Sequence, residues 1–502
     1  MRHGLVPVPR SQRDDDDSGG LLLRAPIRLT GPVDAVALLR EGIARRTGLP
    51  LDQTPVDTAP EVSLRVDRGG APESYRLHVS PAGADVVGAD AAGLFYGTRS
   101  LLQLLTETPA GWMWPAVDID DAPRFAHRGL MLDVARHFFP VDVVERLIER
   151  AAALKLNVLH LHLSDDQGWR LALDRRPDLS ARASQTAALG DAGGFYTRAA
   201  WDRLLACAAA HHMTVIPEID VPGHTHAVTL AYPEVTRAPV ITPEVAETIA
   251  AFGGGTPVTG EPYTGFAVGF SSLRIGETTT SDFLADVFGE LASLTPGPWL
   301  HVGGDEALGT SSADYAVFIA EVTRLVRGLG KTPIAWHEAG GVADIAPGTI
   351  GQYWGFVSPR DGMDEKARGF VRAGGRLILS PADAIYLDMK YDARTPLGLT
   401  WADGPTPLER AYDWEPTAII DGIEESDILG VEAAVWTETI RTEQDLEAMV
   451  FPRLAAAAEI AWSPAAALDW PGFRERLAVL AAGWDAAGVA YTRADGVAWI
   501  TP

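Results

Sequence analysis

The chain has 502 residues, of which 47% are hydrophobic and 22% are charged, and its formal net charge at pH 7 is −25. This acidic balance argues against binding to nucleic acid or to an anionic membrane surface, and no apolar run reaches the roughly 18 residues that cross a bilayer. A single cysteine, Cys207, excludes an internal disulfide and a cysteine-based metal site, and its apolar helical setting favours a buried thiol.

The N-terminal segment is rich in aspartate and lacks the apolar stretch of a signal peptide. We expect a flexible acidic tail over residues 1–20. A cytoplasmic location is the default expectation, and a secreted protein with a trimmed N-terminus would have the same sequence.

Residues 21–121 mix short strand-like runs with two helical patterns, PVDAVALLREGIARRTG (32–48) and AAGLFYGTRSLLQLLTE (91–107). The mixture predicts a small accessory domain of the α+β class. It ends in WPAVDIDDAP, whose acids and prolines suit a linker.

Residues 122–502 alternate short apolar runs with amphipathic helices. Eight runs predict strands: 128–134, 157–163, 213–219, 299–305, 332–338, 349–355, 376–380 and 430–438. Eight strands with intervening helices indicate an α/β fold, a (β/α)8 TIM barrel, and the last 40 or so residues predict a C-terminal helix packed on it.

Polar and aromatic side chains follow these strands at their C-terminal ends, where (β/α)8 barrels carry their active sites. They are Arg136, Asp165, Asp166, Asp220, His224, Asp305, Glu306, Trp336, Trp354, Tyr386, Asp388, Trp436 and Glu438. Indole rings pack on the C–H faces of a sugar, and carboxylates with an arginine bind its hydroxyls. The set predicts a pocket for one terminal sugar unit, which implies exo cleavage.

The stretch HVGGDEALG (301–309) places Asp305 beside Glu306, and adjacent carboxylates raise the cost of ionising each other. A protein core has no use for such a pair, whereas an active site does. The structural alternative is an acidic pair at a helix N-terminus, stabilised by the helix dipole.

Seven motifs in this order resemble glycoside hydrolase family 20, the β-N-acetylhexosaminidases: RGLMLDVARHF, HLHLSDDQGW, EIDVPGH, HVGGDE, QYWG, YLDMKY and VWTET. The resemblance runs from about residue 20 to the end and implies an α+β domain before a (β/α)8 barrel. It also implies a retaining exo-β-N-acetylhexosaminidase acting on oligosaccharides or glycoconjugates that end in N-acetylglucosamine or N-acetylgalactosamine, with no cofactor and no metal.

The resemblance further implies substrate-assisted catalysis, in which the acetamido oxygen of the sugar attacks the anomeric carbon and an oxazolinium forms. Glu306 would protonate the glycosidic oxygen and later deprotonate water, while Asp305 would orient the acetamido N–H. We expect Asp305 to be ionised and Glu306 protonated, because neighbouring acids separate each other's pKa values. Tyr386 would bind the acetamido carbonyl oxygen.

The remaining roles implied by the resemblance concern sugar binding and the support of Glu306. His224 with Asp165 would form a relay behind Glu306, supported by Asp220. Trp336, Trp354 and Trp436 would enclose the acetamido methyl group, and Trp401 would border the pocket. Arg136 would bind the ring hydroxyls at C3 and C4, and Asp388 and Glu438 would bind those at C4 and C6. Residues 236–260 look longer than is usual in the family, and Glu338 has no assigned role, a solvated charge being the preferred interpretation.

The main alternative from another class is a metal-dependent TIM-barrel hydrolase. His160 and His162, like His224 and His226, have the i, i+2 spacing that points two imidazoles the same way, and Asp305 could complete such a site. That hypothesis leaves Glu306, Tyr386 and the tryptophans without a role. A catalytically inactive sugar-binding protein and a chitinase-type barrel are further alternatives, the latter without its D-x-x-D-x-D-x-E spacing.

Overall fold

A computed structural model describes residues 4–15, 19–23, 27–49 and 60–500. The chain divides into two compact units, one formed by residues 1–126, 150–156 and 455–502 and the other by residues 127–149 and 157–454. The C-terminal segment, which we expected to pack on the barrel, therefore groups with the first unit. None of the helices in the described ranges combines the length and the apolarity that crossing a membrane requires.

The strands of the first unit form two sheets, in which most neighbouring strands are antiparallel. The strands are β1 (Ser11–Asp14), β2 (Gly20–Leu22), β3 (Arg28–Thr30), β4 (Glu61–Val66), β5 (Tyr75–Ser80), β6 (Gly83–Gly88), β7 (Thr106–Thr108), β8 (Gly111–Pro115) and β9 (Val117–Asp121). One sheet has the order β1-β9-β5-β6-β4-β3, and the other has the order β2-β8-β7. In β5 the buried residues Tyr75, Leu77 and Val79 alternate with exposed ones, as in a sheet with one covered face.

Two helices pack with these sheets, α1 (Val33–Thr47) and α2 (Ala91–Leu104). The N-terminus of α2 is capped by Asp90, whose carboxylate accepts the Gly93 N–H at 2.7 Å. The helix buries Leu94, Leu101 and Leu104, which explains the helical pattern seen in the sequence.

The segment that we expected to be a flexible tail is largely built into the first unit. Leu5 and Val6 are buried, and the Val6 N–H donates to Gln103 Oε1 at 3.0 Å. Strand β1 pairs with β9 in antiparallel register. The expectation is therefore wrong for residues 4–15, because their apolar side chains find a place in the core; residues 1–3 and 16–18 lie outside the described residues.

The second unit is a closed barrel of eight parallel strands, which confirms the predicted (β/α)8 fold. The barrel strands are β10 (His127–Asp133), β11 (Val158–His162), β14 (Thr214–Glu218), β15 (Trp299–His301), β16 (Thr332–Trp336), β17 (Ile350–Tyr353), β18 (Leu377–Leu379) and β19 (Ile428–Val435). Strand β19 pairs with β10 and closes the ring. A two-stranded hairpin, β12 (Ser164–Asp165) and β13 (Gly168–Trp169), follows β11.

The helices of the rest of the chain connect these strands or follow them. They are α3 (Val141–Ala153), α4 (Pro177–Arg182), α5 (Arg198–Ala210), α6 (Pro243–Phe252), α7 (Thr278–Leu294), α8 (Ser312–Gly328), α9 (Met363–Arg372), α10 (Ala382–Ile385), α11 (Leu408–Tyr412), α12 (Glu443–Val450), α13 (Arg453–Trp462) and α14 (Trp470–Ala486). Short 3-10 helices span Ala188–Gly190, His226–Leu230, Pro233–Val235, His337–Gly341, Pro416–Ala418, Glu425–Asp427 and Ala465–Ala467. The connection from β16 to β17 uses one of these, His337–Gly341, in place of a full α-helix.

The interior of the barrel changes from apolar to polar along its axis. One apolar cluster takes one side chain from each of six strands: Val158, Ile216, Ile334, Ile350, Ile378 and Leu429. Two residues further along four of these strands stand His160, Glu218, Trp336 and Gln352, all buried. Because side chains two apart in a strand share a face, the interior of the barrel is apolar towards the N-terminal ends of the strands and polar just beneath their C-terminal ends.

Candidate active site

Asp305 and Glu306 lie on the loop that follows β15. The strand ends at His301, and the backbone is left-handed at Gly303 (φ 66°) and at Glu306 (φ 45°). Left-handed residues do not continue a strand, so the predicted strand 299–305 is too long. The loop turns both carboxyl groups into the mouth of the barrel.

Asp220, at the end of the neighbouring strand, fixes this loop. Its Oδ1 accepts the Gly304 N–H at 2.9 Å. A Cβ atom on Gly303 would lie 1.8 Å from the same oxygen, so the close approach requires glycine. Side-chain atoms of Asp220, His224 and Asp305 lie within 4.8 Å of one another, which brings together three residues predicted from the sequence.

The imidazole of His224 contacts both acids of the pair. Its Nε2 lies 3.6 Å from Asp305 Oδ2 and 3.7 Å from Glu306 Oε2. On the other side of the ring, Nδ1 lies 3.1 Å from Asp165 Oδ1. The predicted order Asp165, His224, Glu306 is therefore present as a continuous line of contacts.

Asp165 is surrounded by three basic groups. Arg136 Nη2 donates to Asp165 Oδ2 at 2.8 Å, and His162 Nε2 lies 2.7 Å from the same oxygen. Burial alone would raise the pKa of Asp165, but Arg136, His224 and His162 outweigh it and hold this pKa far below its ordinary value. Asp165 is therefore a permanent negative charge behind His224.

The pKa values of both catalytic candidates are raised. Burial, followed by the neighbouring carboxyl of Asp220, raises the pKa of Asp305 well above its ordinary value, and burial raises that of Asp220 to about 8. Burial also raises the pKa of Glu306, with Glu338 adding to it and His224 opposing it. The expected separation of an ionised Asp305 from a protonated Glu306 is thus not met, because Asp220, Asp305 and Glu306 are buried around one imidazole and all three resist ionisation.

Five aromatic rings form a continuous wall next to the acids. Ring centroids are 6.0 Å apart for Trp336 and Trp436, 6.2 Å for Trp436 and Tyr386, 5.8 Å for Tyr386 and Trp401, and 6.0 Å for Trp401 and Trp354. Trp401 is 47% exposed and borders the wall on the solvent side. Burial raises the pKa of Tyr386 well above 10, so its hydroxyl stays a hydrogen-bond donor.

Arg136, Asp388 and Glu438 supply the polar side of the pocket. The Arg136 guanidinium carbon lies 4.8 Å from the Trp436 ring centroid. Within the described residues, Arg136 Nη1 and Asp388 Oδ2 are buried without a hydrogen-bond partner. Burial raises the pKa of Glu438, while the charge of Arg136 opposes the rise. The sequence-predicted site residues thus meet at one end of one barrel.

Asp133 is a residue of the site that the sequence analysis missed. Its Oδ1 accepts the Arg136 N–H at 3.1 Å, and its Oδ2 accepts the Thr437 N–H at 3.0 Å. It therefore fixes the loop that carries Arg136 and the loop that carries Trp436 and Glu438. Asp133 is the last residue of β10, and a carboxylate at the C-terminal end of a barrel strand is the sequence signal that could have identified it.

A buried network of histidines and glutamates beneath the pocket was also missed. His162 Nδ1 lies 2.8 Å from Glu218 Oε2, and His160 Nε2 lies 3.0 Å from the same oxygen. His160 Nδ1 lies 2.8 Å from Glu432 Oε1 on the other side. The Trp336 indole N–H donates to Glu218 Oε1 at 2.9 Å, so this network also fixes one ring of the aromatic wall.

Arg453 supports Asp388 from behind. It is buried, and it donates to the carbonyl oxygens of Leu387 and Met389, the two neighbours of Asp388. Its position in α13, far along the sequence, gave no indication of this role.

Asp166 lies beside Asp165 and His224, with side-chain atoms within 4.8 Å of theirs, and it also binds residues outside the catalytic cluster. Asp166 Oδ1 accepts from Ser271 Oγ at 2.6 Å and from the His226 N–H at 2.9 Å. His226 Nε2 lies 2.9 Å from the carbonyl oxygen of Glu261. The predicted extra length folds into α6 and an apolar cluster that includes Val245, Tyr263 and Phe270.

Several groups in the site have the donor atoms and the spacing to hold a cation. They are Asp165, Asp166 and His224; Asp220, His224 and Asp305; His162, Glu218 and Asp220; and His160, Glu218 and His301. In the metal hypothesis His160 and His162 act as neutral ligands. Both instead sit between two carboxylates, which raise the pKa of His160 to about 9 and that of His162 to about 10 against the opposing effect of burial.

Comparison with known proteins agrees with this geometry. The model of the glycosyl hydrolase family 20 catalytic domain matches residues 125–314 and 309–465, and the model of domain 2 of that family matches residues 2–122. A β-N-acetylhexosaminidase from Cellulomonas fimi is 40% identical over 457 residues, which cover 88% of this chain and 87% of that protein.

Solved structures give the same result. A family 20 β-N-acetylglucosaminidase has a TM-score of 0.92 and 51% identity, covering 99% of this chain and 100% of that one. The Streptomyces plicatus N-acetyl-β-hexosaminidase, in complex with Thio-NAglucal, has a TM-score of 0.89 and 40% identity, covering 100% of this chain and 98% of that one. The family matches favour a glycosidase over a metal-dependent hydrolase. This chain therefore belongs to glycosyl hydrolase family 20 and is a glycoside hydrolase of the β-N-acetylhexosaminidase type.

Proposed function

We propose that Glu306 is the general acid and base of this glycosidase and that Asp305 assists a nucleophile supplied by the substrate. One observation carries the proposal: the two carboxyls stand on one loop and both contact a single imidazole nitrogen, at 3.6 and 3.7 Å. A retaining enzyme with a protein nucleophile needs its two carboxyls about 5–5.5 Å apart, flanking the anomeric carbon. A pair on one side of the sugar suits protonation and orientation, and leaves the nucleophile to the 2-acetamido group.

In the first step the acetamido oxygen forms a bond to C1 while the glycosidic C–O bond breaks. Glu306 gives its proton to the leaving oxygen, and burial, which raises its pKa, favours the protonated form that this step needs. Asp305 accepts the acetamido N–H. Asp305 releases its proton to solvent as the sugar binds, and its carboxylate stabilises the positive charge that develops on the oxazolinium.

In the second step Glu306, now a carboxylate, takes a proton from water. The water oxygen forms a bond to C1, and the bond between C1 and the acetamido oxygen breaks, so that two inversions give overall retention. His224, held by the permanent charge of Asp165 and supported by Asp220, steadies Glu306 in both protonation states.

The aromatic wall and the polar side of the pocket hold the sugar in this mechanism. The hydroxyl of Tyr386 donates to the acetamido oxygen and fixes its direction of attack. The rings of Trp336, Trp354 and Trp436 enclose the acetamido methyl group, and Trp401 closes the border.

Arg136 binds the hydroxyls at C3 and C4 through Nη1, which lies 3.5 Å from Asp133 Oδ2 and has no hydrogen-bond partner in the described residues. Asp388 and Glu438 bind the hydroxyls at C4 and C6. Since N-acetylglucosamine and N-acetylgalactosamine differ only at C4, two acceptors at that position suit terminal residues of both kinds. The substrates we propose are therefore chitooligosaccharides and other oligosaccharides or glycoconjugates with such ends. This fits the names of the relatives, a β-N-acetylglucosaminidase and β-N-acetylhexosaminidases.

The test compares three aryl β-glycosides that share one leaving group: the N-acetylglucosaminide, the N-acetylgalactosaminide and the glucoside. We expect cleavage of the first two and essentially none of the glucoside, which lacks the participating amide. Equal rates on the glucoside and the N-acetylglucosaminide would refute the mechanism.

The acid role is tested separately by Glu306→Gln on a phenyl and a 2,4-dinitrophenyl N-acetylglucosaminide. Loss of the acid should slow the phenyl substrate about 100-fold or more, because its leaving group needs a proton, and should slow the dinitrophenyl substrate far less. Equal losses on both would contradict the role of Glu306.

A further inference from the structure

Glu338 lies at the pocket although the sequence gave it no role. It follows β16 within the 3-10 helix His337–Gly341, and its side chain is only 20% exposed. Its Oε2 accepts the indole N–H of Trp354 at 3.0 Å. The interpretation as a solvated charge is therefore wrong, because the carboxylate is largely covered and bound to the aromatic wall.

The charge of Glu338 is not neutralised by a strong base. Among the described residues, the basic group within ion-pair distance is His337, whose Nδ1 lies 3.7 Å from Glu338 Oε2. Burial lowers the pKa of His337, so this imidazole is neutral at neutral pH. The negative charge of Glu338 therefore acts on the pocket, where it reaches Asp305 and Glu306.

We propose that Glu338 is a positioning residue with two effects: it holds the Trp354 indole in the pocket wall, and its charge keeps the proton on Glu306 until the leaving group takes it. The inference rests on the proposed function of Glu306 as the acid. It adds a specific cause for the proton affinity of Glu306, separate from the relay through His224.

Besides Glu338, charged groups from three other loops act on Glu306, and their effects fix the sign of the expected change. His224 follows β14, Arg136 follows β10 and Asp165 follows β11, while Asp305 is the neighbour of Glu306 on its own loop. Burial raises the pKa of Glu306, His224 and Arg136 lower it, and Glu338 and Asp165 raise it. Removing the Glu338 charge must therefore lower this pKa, so the acid form is lost at a lower pH.

The test separates the charge of Glu338 from its hydrogen bond. Glu338→Gln keeps an acceptor for the Trp354 N–H but removes the charge, whereas Glu338→Leu removes both. The control is Glu321→Gln, which removes one exposed negative charge from helix α8. The measurement is the pH profile of kcat/KM from pH 4 to 10 on phenyl β-N-acetylglucosaminide, which needs the proton, together with KM at the optimum.

We expect Glu338→Gln to shift the alkaline limb to lower pH by about half a unit or more, with KM near that of the unchanged enzyme. Glu338→Leu should show the same shift and a KM raised about 10-fold, since the indole loses its partner. Combining Glu338→Leu with Trp354→Phe should raise KM no further than either change alone, because both break the same contact.

If Glu338→Gln leaves the alkaline limb in place, or shifts it no more than Glu321→Gln does, the proposed effect of the Glu338 charge on Glu306 is wrong. A KM unchanged in Glu338→Leu, or a fully additive double variant, overturns the effect on Trp354. If Glu338→Leu fails to fold, Glu338→Ala takes its place in the KM measurement, and the alkaline limb in Glu338→Gln still decides the effect of the charge. Failure of the proposed function is separate, because it shows as phenyl glycoside cleavage that survives Glu306→Gln.

Discussion

Replacing Glu218 with glutamine removes one charge from the network below the pocket and changes almost no volume. Glu218 Oε2 lies 2.8 Å from His162 Nδ1 and 3.0 Å from His160 Nε2, and Oε1 accepts from the Trp336 indole at 2.9 Å. An amide offers one acceptor and one donor where the carboxylate offers two acceptors. In either orientation of the amide, an N–H group of a neighbour then faces an N–H group of the glutamine.

The magnitude follows from these contacts. His160 and His162 carry raised pKa values of about 9 and about 10, so both are charged at pH 6. Removing one partner of a buried, hydrogen-bonded ion pair costs about 3–5 kcal/mol, because an unmatched charge remains in the interior. We expect the free energy of unfolding of the barrel to fall by this amount at pH 6.

The assay is urea denaturation followed by the fluorescence of the 14 tryptophans, with Glu321→Gln as the matched loss of an exposed charge. The loss corresponds to a midpoint lower by on the order of 1 M urea. A histidine with a raised pKa stabilises the fold fully below its unfolded value of about 6.5, and this contribution disappears as the pH rises through its folded value. The difference between Glu218→Gln and the unchanged protein should therefore be largest at pH 6 and smaller near pH 10.

Two results would refute this reasoning. A midpoint at pH 6 equal to that of the Glu321→Gln control would mean that the buried contacts contribute no net stability. A difference that stays constant from pH 6 to pH 10 would mean that the histidines are not charged in the folded protein.

Four further outcomes are expected. Tyr386→Phe should reduce kcat/KM on aryl β-N-acetylglucosaminides about 100-fold while leaving the melting temperature nearly unchanged, and a rate near normal would remove Tyr386 from the mechanism. Asp305→Asn should reduce kcat by a similar or larger factor, since the amide cannot stabilise the oxazolinium; normal rates would contradict its assignment. A chelator such as EDTA should leave hydrolysis unaffected, whereas a metal-dependent hydrolase would lose activity. Deletion of residues 1–15 should lower stability by roughly 3 kcal/mol or more, measured as a lower urea midpoint, because it uncovers the sites of Leu5 and Val6 and one edge of the first sheet.

The barrel and the main site residues could be predicted from the sequence because their signals are local. Eight apolar runs separated by helical patterns indicate the barrel, and Asp305, Glu306 and the tryptophans follow those runs directly. The end of β15 was misplaced because the apolar pattern continues to Val302, whereas the backbone at Gly303 already turns into the left-handed region.

The supporting residues could not be predicted because their partners are distant in the sequence. Glu432 and His160 are 272 positions apart, and Asp133 and Thr437 are 304 apart. A glutamate in a buried strand interrupts the apolar pattern, and the sequence does not show which distant residues pair with it. The N-terminal residues were misjudged for a related reason, since the acidic composition concealed the short apolar run at Leu5 and Val6.

The alternation of imidazole and carboxylate in the barrel interior has an evolutionary consequence. From Glu432 through His160, Glu218, His162 and Asp165, each group touches the next one, and every histidine has an acid on both sides. A single substitution in this series would leave an unmatched charge in the barrel interior, and selection would remove such a variant. Descendants of this chain should therefore keep the whole series, or exchange a histidine and an acid together, so that these positions covary while nearby surface acids change freely.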